Sequence, residues 1–419
     1  MNVAVFGCGY VGLTCAVGLA ELGHTVVGVD IDEKKLALLK EGKSPLFEEG
    51  LEATMQRQMT AGQLTFTHDG ESAIQKSDVV MCAVSLPGER TDFGAVMQVA
   101  QLFARLADGK KLFVNKSTVP VGSAEKIGEI IAPSQIVANP EFLQEGTALR
   151  NFLHPERVVV GLNDDDENVK EKMKELYCYD EEIPFVFTSL RNAELIKYAS
   201  NVFLATKISF ANELANLCEA TGGDVQEVVR GMGFDSRIGS DFLQAGIGFG
   251  GSCLPKSVQT LLDNGKDLDC DLPLFEAVKQ VNESRVDTLF SRLEQTLGSL
   301  QDKKIAVWGA TFKPNTNDIR EAPSLKVLQK LIDARAQICV FDPVASLDGL
   351  DVATADDLYA GLQDAEALLI LTEWDVFKNP DFVKMKSLMN QPLVVDGRNI
   401  FDPAVMKDQG FQYVSVGRA

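Results

Sequence analysis

The chain has 419 residues, enough for two or three domains, and its 45% hydrophobic and 24% charged residues are an ordinary globular balance that argues against disorder. A formal net charge of -20 repels phosphate backbones, so a nucleic-acid partner is not expected, and an anionic substrate would need Arg and Lys placed locally against the global field. No stretch approaches the ~18 consecutive apolar residues of a membrane span, and the apolar N-terminus lacks the basic region of a signal peptide.

Met1 to Phe6 is a short Val-rich run that reads as a buried strand. Gly7-Cys8-Gly9-Tyr10-Val11-Gly12 follows. Leu13 to Leu22 then has helical composition closed by Gly23, and Thr25 to Val29 is a second strand ending at Asp30. Further strand-like runs lie at Val79–Val84, Leu112–Val114 and Ile136–Ala138, with helical stretches between them. This alternation predicts a parallel, doubly wound sheet. From Asn192 the pattern changes. Asn192 to Ala220 and Leu272 to Leu297 are long helical stretches with few strand signals between them. At Lys303 the α/β rhythm returns, with strands at Lys304–Val307, Gln337–Phe341, Ala367–Leu371 and Leu393–Val395 and a helix at Ser324–Ala334. The reading is therefore α/β: two Rossmann-type doubly wound domains joined by a central α-helical segment.

The glycine spacing at Gly7, Gly9 and Gly12 is weak evidence alone. Here it follows a strand, opens a helix and meets Asp30 at the end of the next strand, which is the context a dinucleotide site needs. Gly7 permits the tight turn, Gly9 lets the backbone approach a pyrophosphate at the helix N-terminus, and Gly12 allows close helix–strand packing. Asp30 can accept hydrogen bonds from ribose hydroxyls and would repel a 2′-phosphate, so NAD is favoured over NADP.

Of the eight cysteines, none forms a C-x-x-C pair, and several sit in apolar patterns where a reduced, buried thiol is expected; a cytoplasmic setting fits. With only three histidines, none near a cysteine pair, no metal site is expected. Cys253 stands apart, in Gly248-Phe249-Gly250-Gly251-Ser252-Cys253-Leu254-Pro255-Lys256. Glycines that admit a substrate and a nearby cation that favours the thiolate suit a nucleophile, while a buried Cys in a tight turn is the equally open alternative. Glu141 and Glu145 follow the strand at Ile136–Ala138, where a carboxylate could serve as a general base; for Glu141 a capping charge at a helix N-terminus is preferred. Lys197 and Asn201, four apart on a predicted helix, share a face.

Taken together, the GCGYVG fingerprint, Thr118-Val119-Pro120-Val121-Gly122, Asn139-Pro140-Glu141-Phe142-Leu143, Gly250-Gly251-Ser252-Cys253, Phe312-Lys313-Pro314-Asn315-Thr316 and Asp396-Gly397-Arg398 resemble the UDP-glucose/GDP-mannose dehydrogenase family, in order and across essentially the whole chain. The resemblance implies an NAD-binding Rossmann domain over 1–185, a helical dimerisation domain over 192–298 and a C-terminal Rossmann-like UDP-sugar-binding domain over 303–419. It implies oxidation of a nucleotide sugar at C6 to the carboxylate with two NAD per turnover. Gly246-Ile247-Gly248-Phe249 and His154-Pro155-Glu156-Arg157 look more like the branch acting on UDP-glucose than that acting on GDP-mannose. A GDP-mannose or UDP-N-acetylhexosamine substrate, or a catalytically silent nucleotide-sugar binder, stays open.

By the same resemblance Cys253 is the nucleophile, Glu145 with Thr118 activates water, and Lys197 and Asn201 stabilise the oxyanion. Gly7, Gly9, Tyr10, Val11, Gly12, Asp30, Lys35, Ser85, Pro87, Thr118, Lys256 and Arg320 contact the cofactor. Phe142, Leu143, Glu145, Lys197, Asn201, Phe242, Phe249, Gly250, Lys313 and Arg398 contact the UDP-sugar, and Arg237 reaches the substrate of a neighbouring subunit in a homodimer or higher homo-oligomer. Two departures stand out. Leu86 in Val84-Ser85-Leu86-Pro87-Gly88 replaces the family's usual Thr, and Ser257 stands where the pattern has Asp after Pro-Lys, a residue that aids water activation. Ser cannot act as a base at neutral pH.

Overall fold

The computed structural model describes residues 1–85, 93–180 and 182–418; Leu86, Pro87 and Gly88 therefore lie outside the described residues. The chain forms two compact units, Met1–Ala199 and Ser200–Ala419, with the boundary inside one continuous helix, Leu190–Thr221.

The first unit is built on eight strands, β1 Asn2–Phe6, β2 Thr25–Val29, β3 Leu64–Thr67, β4 Val79–Cys82, β5 Leu112–Asn115, β6 Gln135–Ala138, β7 Val158–Leu162 and β8 Phe185–Ser189, ordered 3-2-1-4-5-6-7-8. The first six run parallel, as their unbroken apolar runs predict for a sheet buried on both faces. β7 departs from the expected all-parallel sheet: it pairs antiparallel with β6, and β8 follows it in parallel. Residues 139–157 connect β6 to β7 through the short helix Ala148–Leu153 and return the chain antiparallel to β6. One face packs Val3, Val5, Leu13 and Val17 with Phe152 and Tyr177; the other packs Ala4, Val80, Phe103 and Phe113 with Ala193. Each fully buried Val, Leu or Phe there contributes about 1.5–3 kcal/mol.

The second unit begins with helices. Among the described residues no strand lies between Ser189 and Lys304, and the chain runs through helices Val225–Gly233, Leu254–Asp267 and Pro273–Leu297. The first two of these escape the sequence reading, because Gly and Asp punctuation breaks their apolar period. A six-stranded parallel sheet follows, from β9 Lys304–Trp308, β10 Gln337–Phe341, β11 Ala353–Thr354, β12 Ala367–Ile370, β13 Leu393–Asp396 and β14 Gln412–Val414, ordered 11-10-9-12-13-14. Val286, Leu289 and Leu293 of the Pro273–Leu297 helix and Ile247 join the core on one face of this sheet.

Candidate active site

In the first unit the three fingerprint glycines have distinct physical reasons. Gly7 has φ +88°, and a Cβ there would meet the Ala83 carbonyl oxygen at 2.8 Å. A Cβ on Gly12 would lie 1.7 Å from the Gly7 oxygen, so helix and strand touch only because it is absent. Among the described residues a Cβ on Gly9 would meet only the Ser85 hydroxyl, at 3.3 Å. The described residues fill the space at Gly7 and Gly12 but leave it open at Gly9, which is the cradle that a pyrophosphate at the N-terminus of the Tyr10–Glu21 helix requires. Val11 stands on the first turn of that helix.

Asp30 is 7% exposed, accepts from the backbone N–H of Cys8 and Asp32 at 2.8 and 2.9 Å, and pairs with Lys35 Nζ at 2.8 Å. Burial pushes its carboxyl up, but Lys35 and the two N–H groups outweigh burial and hold it below the usual range. The residues present thus fit a dinucleotide.

A second cluster of the same unit gathers Thr118, Asn115, Glu194, Lys197 and Tyr198 around one small pocket. Lys197 Nζ forms a buried ion pair with Glu141 at 2.8 Å, and the other Glu141 oxygen accepts from Leu143 N–H. Glu141 is therefore not the capping charge expected from its sequence context: no helix begins there, and the residue partners Lys197. Phe142 carries the Arg157 guanidinium 3.9 Å and Lys197 Nζ 5.5 Å from its ring centroid. Glu194 was not singled out by sequence. It accepts from the N–H groups of Gly122 and Ala124 at 2.6 and 2.8 Å, so it caps the Ser123–Ile131 helix and fixes the Thr118 loop. Burial pushes its carboxyl up to about 7 against those two donors. Glu145 lies half-buried in the loop between Glu141 and the Ala148–Leu153 helix.

In the second unit Cys253 is exposed, at the N-cap of the Leu254–Asp267 helix with Pro255 in its first turn, and the Ser252 hydroxyl lies 3.6 Å from its sulfur. The buried-turn alternative for Cys253 is thereby set aside. Burial pushes the Lys256 ammonium down, with Cys253 opposing. Asn201 Nδ2 donates to the hydroxyl of Ser257 at 2.9 Å, and both residues are buried.

The glycines before Cys253 answer to the protein more than to a ligand. Cβ atoms on Gly248, Gly250 and Gly251 would meet Asn282, the Glu321 carbonyl and the Phe312 ring at 2.6, 2.4 and 2.8 Å. The stretch is held by Asn282, which both accepts from and donates to the Phe249 backbone, and by Arg398. Arg398 donates to the carbonyls of Gly248, Phe312 and Leu371, so it ties the Cys253 approach to the Phe312–Lys313 loop. Arg320 and Arg237 each make a bidentate pair with an aspartate two residues away, Asp318 and Asp235, and Phe242 adopts a left-handed backbone, φ 62°. Among the described residues no cluster of His, Cys, Asp and Glu could hold a metal, and no helix is long and apolar enough to cross a membrane.

A doubly wound sheet, an open glycine cradle and an acidic residue on the next strand define a dehydrogenase that uses NAD. Three consecutive matches specify it further: the UDP-glucose/GDP-mannose dehydrogenase family's NAD binding domain over residues 1–179, its central domain over 191–284 and its UDP binding domain over 306–403. The chain belongs to this family and is an NAD-dependent oxidoreductase. It is 43% identical to a UDP-glucose 6-dehydrogenase of Rhizobium meliloti over 100% of both chains, and 41% identical to one of Bacillus subtilis over 100% of this chain and 93% of that one. Among solved structures it resembles a UDP-glucose dehydrogenase of Pyrobaculum islandicum, at 35% identity and TM-score 0.91 over 100% of this chain and 98% of that one.

Proposed function

We propose that this chain oxidises the C6 hydroxyl of UDP-glucose to the carboxylate of UDP-glucuronate through a covalent adduct on Cys253. Full-length similarity to UDP-glucose 6-dehydrogenases at about the 40% level, against 26% for a UDP-N-acetylmannosamine enzyme of Pyrococcus horikoshii, supports the sugar choice. The exposed thiol at a helix N-terminus is the observation that carries the chemistry.

NAD would be held at Gly7, Gly9, Tyr10, Val11, Gly12, Asp30, Lys35 and Ser85, assisted by Thr118, Lys256 and Arg320, and two NAD in succession would each accept one hydride, one for each oxidation. Loss of the hydroxyl proton and a C6 hydride gives the aldehyde. The Cys253 sulfur bonds to its carbon, Lys197 and Asn201 stabilise the resulting oxyanion, and loss of the second C6 hydride leaves a thioester. Water activated by Glu145 and Thr118 adds to the thioester, the C–S bond breaks, and the thiol is restored as the acid departs. Glu141 holds Lys197 in place for this task. Phe142, Leu143, Phe242, Phe249, Gly250, Lys313 and Arg398 bind the nucleotide sugar. The three-domain division at 1–185, 192–298 and 303–419 assigns cofactor, assembly and nucleotide to successive segments. Reduced thiols throughout fit a cytoplasmic setting. The deciding measurement is the NADH yield: two per UDP-glucose consumed supports the reading, whereas turnover only with GDP-mannose or a UDP-N-acetylhexosamine, or binding without NADH, replaces it.

Asp30 sets cofactor choice in this reading. Lys35 already lies on its carboxylate, so Asp30→Ala removes the ribose acceptor and leaves a cation where a 2′-phosphate would come. The expected loss in kcat/KM with NAD is about 10–100-fold, the worth of a charge-assisted hydrogen bond, and the preference for NAD over NADP narrows. Equal use of NADP by the unmodified protein would contradict the assignment.

The assembly is proposed as a homodimer or a multiple of one. Phe203, Phe210 and Leu217, spaced by seven on the Leu190–Thr221 helix, are 65%, 45% and 59% exposed, an apolar stripe that suits a second copy of this chain. Phe203→Asp with Phe210→Asp should shift the mass in light scattering to that of one chain; an unchanged mass removes this interface. Arg237, with its side chain 86% exposed, then reaches the partner's substrate. Mixed Cys253→Ala and Arg237→Ala subunits should recover activity under exchange, and no recovery despite proven exchange counts against sharing.

A further inference from the structure

Glu48 is absent from the roles assigned above, yet it ties together two parts of the first unit that carry them. It is 9% exposed, and among the described residues no cation pairs with it. One carboxylate oxygen accepts from Ala148 N–H at 2.5 Å; the other accepts from Gly146 N–H at 2.8 Å and from the Tyr10 hydroxyl. The Tyr10 oxygen in turn accepts from the same Gly146 N–H at 2.9 Å. Burial and then the bond to Glu48 hold the phenol proton well above its usual range, so Tyr10 acts as a fixed donor.

Gly146 follows Glu145 directly, and Tyr10 opens the helix whose N-terminus forms the pyrophosphate cradle. A buried carboxylate without a cation is costly unless its donors are complete. Three donors serve it here, the Gly146 N–H being shared with the Tyr10 oxygen, and all three are on segments that this reading of the reaction requires to be still. The Glu145 loop is anchored at its other end by Glu141, through Leu143 N–H and Lys197. We propose that Glu48 is the positioning residue for Glu145, and that the Tyr10 phenol joins that support to the cofactor cradle. Glu48 touches neither substrate nor reacting atoms; it fixes the backbone that presents the water-activating carboxylate. The inference rests on the role proposed for Glu145.

The test separates hydride transfer from hydrolysis. Rapid quench of the full protein with NAD and UDP-glucose follows NADH and free acid in parallel for the unmodified chain, Tyr10→Phe, Glu48→Gln and the double variant. Tyr10→Phe removes one oxygen and keeps the ring, so it tests the network even if Glu48→Gln fails to fold. Acid release should fall about tenfold more than NADH formation in each variant, which is one hydrogen bond's worth of positioning. The double variant should be no worse than Glu48→Gln, because both cut one network. A mainly structural role would lower both rates together with melting temperature, and that result, or equal rates in all four proteins, overturns the proposal. Absence of any UDP-glucose-dependent NADH in the unmodified chain overturns the proposed reaction instead.

Discussion

Replacing Cys253 by Ala should lower acid formation on the order of 10⁴-fold or more, because the proposed route through a covalent adduct then has no nucleophile. Three buried thiols cannot substitute. Burial pushes the Cys8, Cys15 and Cys82 thiols up to about 12, so they stay protonated. Burial also raises the half-buried Cys339 thiol. NAD affinity should survive, since the glycine cradle belongs to the other unit and its shape depends on Gly7, Gly12 and Ala83. Two readouts check this: acid production under saturating NAD, and alkylation of Cys253 followed by mass spectrometry. Substrate should protect Cys253 while the exposed Cys178 and Cys270 remain reactive. Normal acid production by Cys253→Ala sinks the assignment outright.

The second large effect concerns Ser257. General-base assistance is worth about 10²–10⁴-fold, which bounds what a hydroxyl in place of a carboxylate can cost at the hydrolysis step. Ser257 is only 2% exposed and accepts from Asn201, while its N–H donates to the Cys253 carbonyl. Ser257 therefore keeps Asn201 oriented but offers no base, and in the proposed reaction water activation is left to Glu145 and Thr118. The unmodified protein should show a fast NADH burst, slow turnover and an acyl adduct on Cys253. Ser257→Asp should raise the steady rate and shrink the burst, with a carboxylate that also supports the neighbouring Lys256, which burial now disfavours as the ammonium. If Ser257→Asp leaves the steady rate unchanged or lowers it, another group already does this work.

Local chemistry was legible in the chain alone. The strand, the three glycines and Asp30 lie within thirty residues, and the demands of a tight turn and close packing are written into residue types that few other settings require. The Gly-Gly-Ser-Cys turn singled out Cys253 but left it open whether the thiol was exposed, which the fold decided. The alternation of apolar runs sufficed for two α/β sheets and a helical interval, since that period depends only on neighbours, but not for the antiparallel β7.

Contacts across long stretches of sequence needed the folded chain. Glu48 meets Gly146 across 98 residues and Glu194 meets Gly122 across 72, and no periodicity marks a lone glutamate as the anchor of a distant loop. Glu141 read as a helix cap became a buried partner of Lys197 for the same reason. The reversal at β7 and the glycines at Gly248 and Gly250 were decided by what lies beside them in space, the β6 edge, Asn282 and the Glu321 carbonyl. Residue type and spacing determine which local structures and chemistries are available; only packing determines which buried charge meets which donor, because that choice is made by segments far apart in sequence competing for one volume.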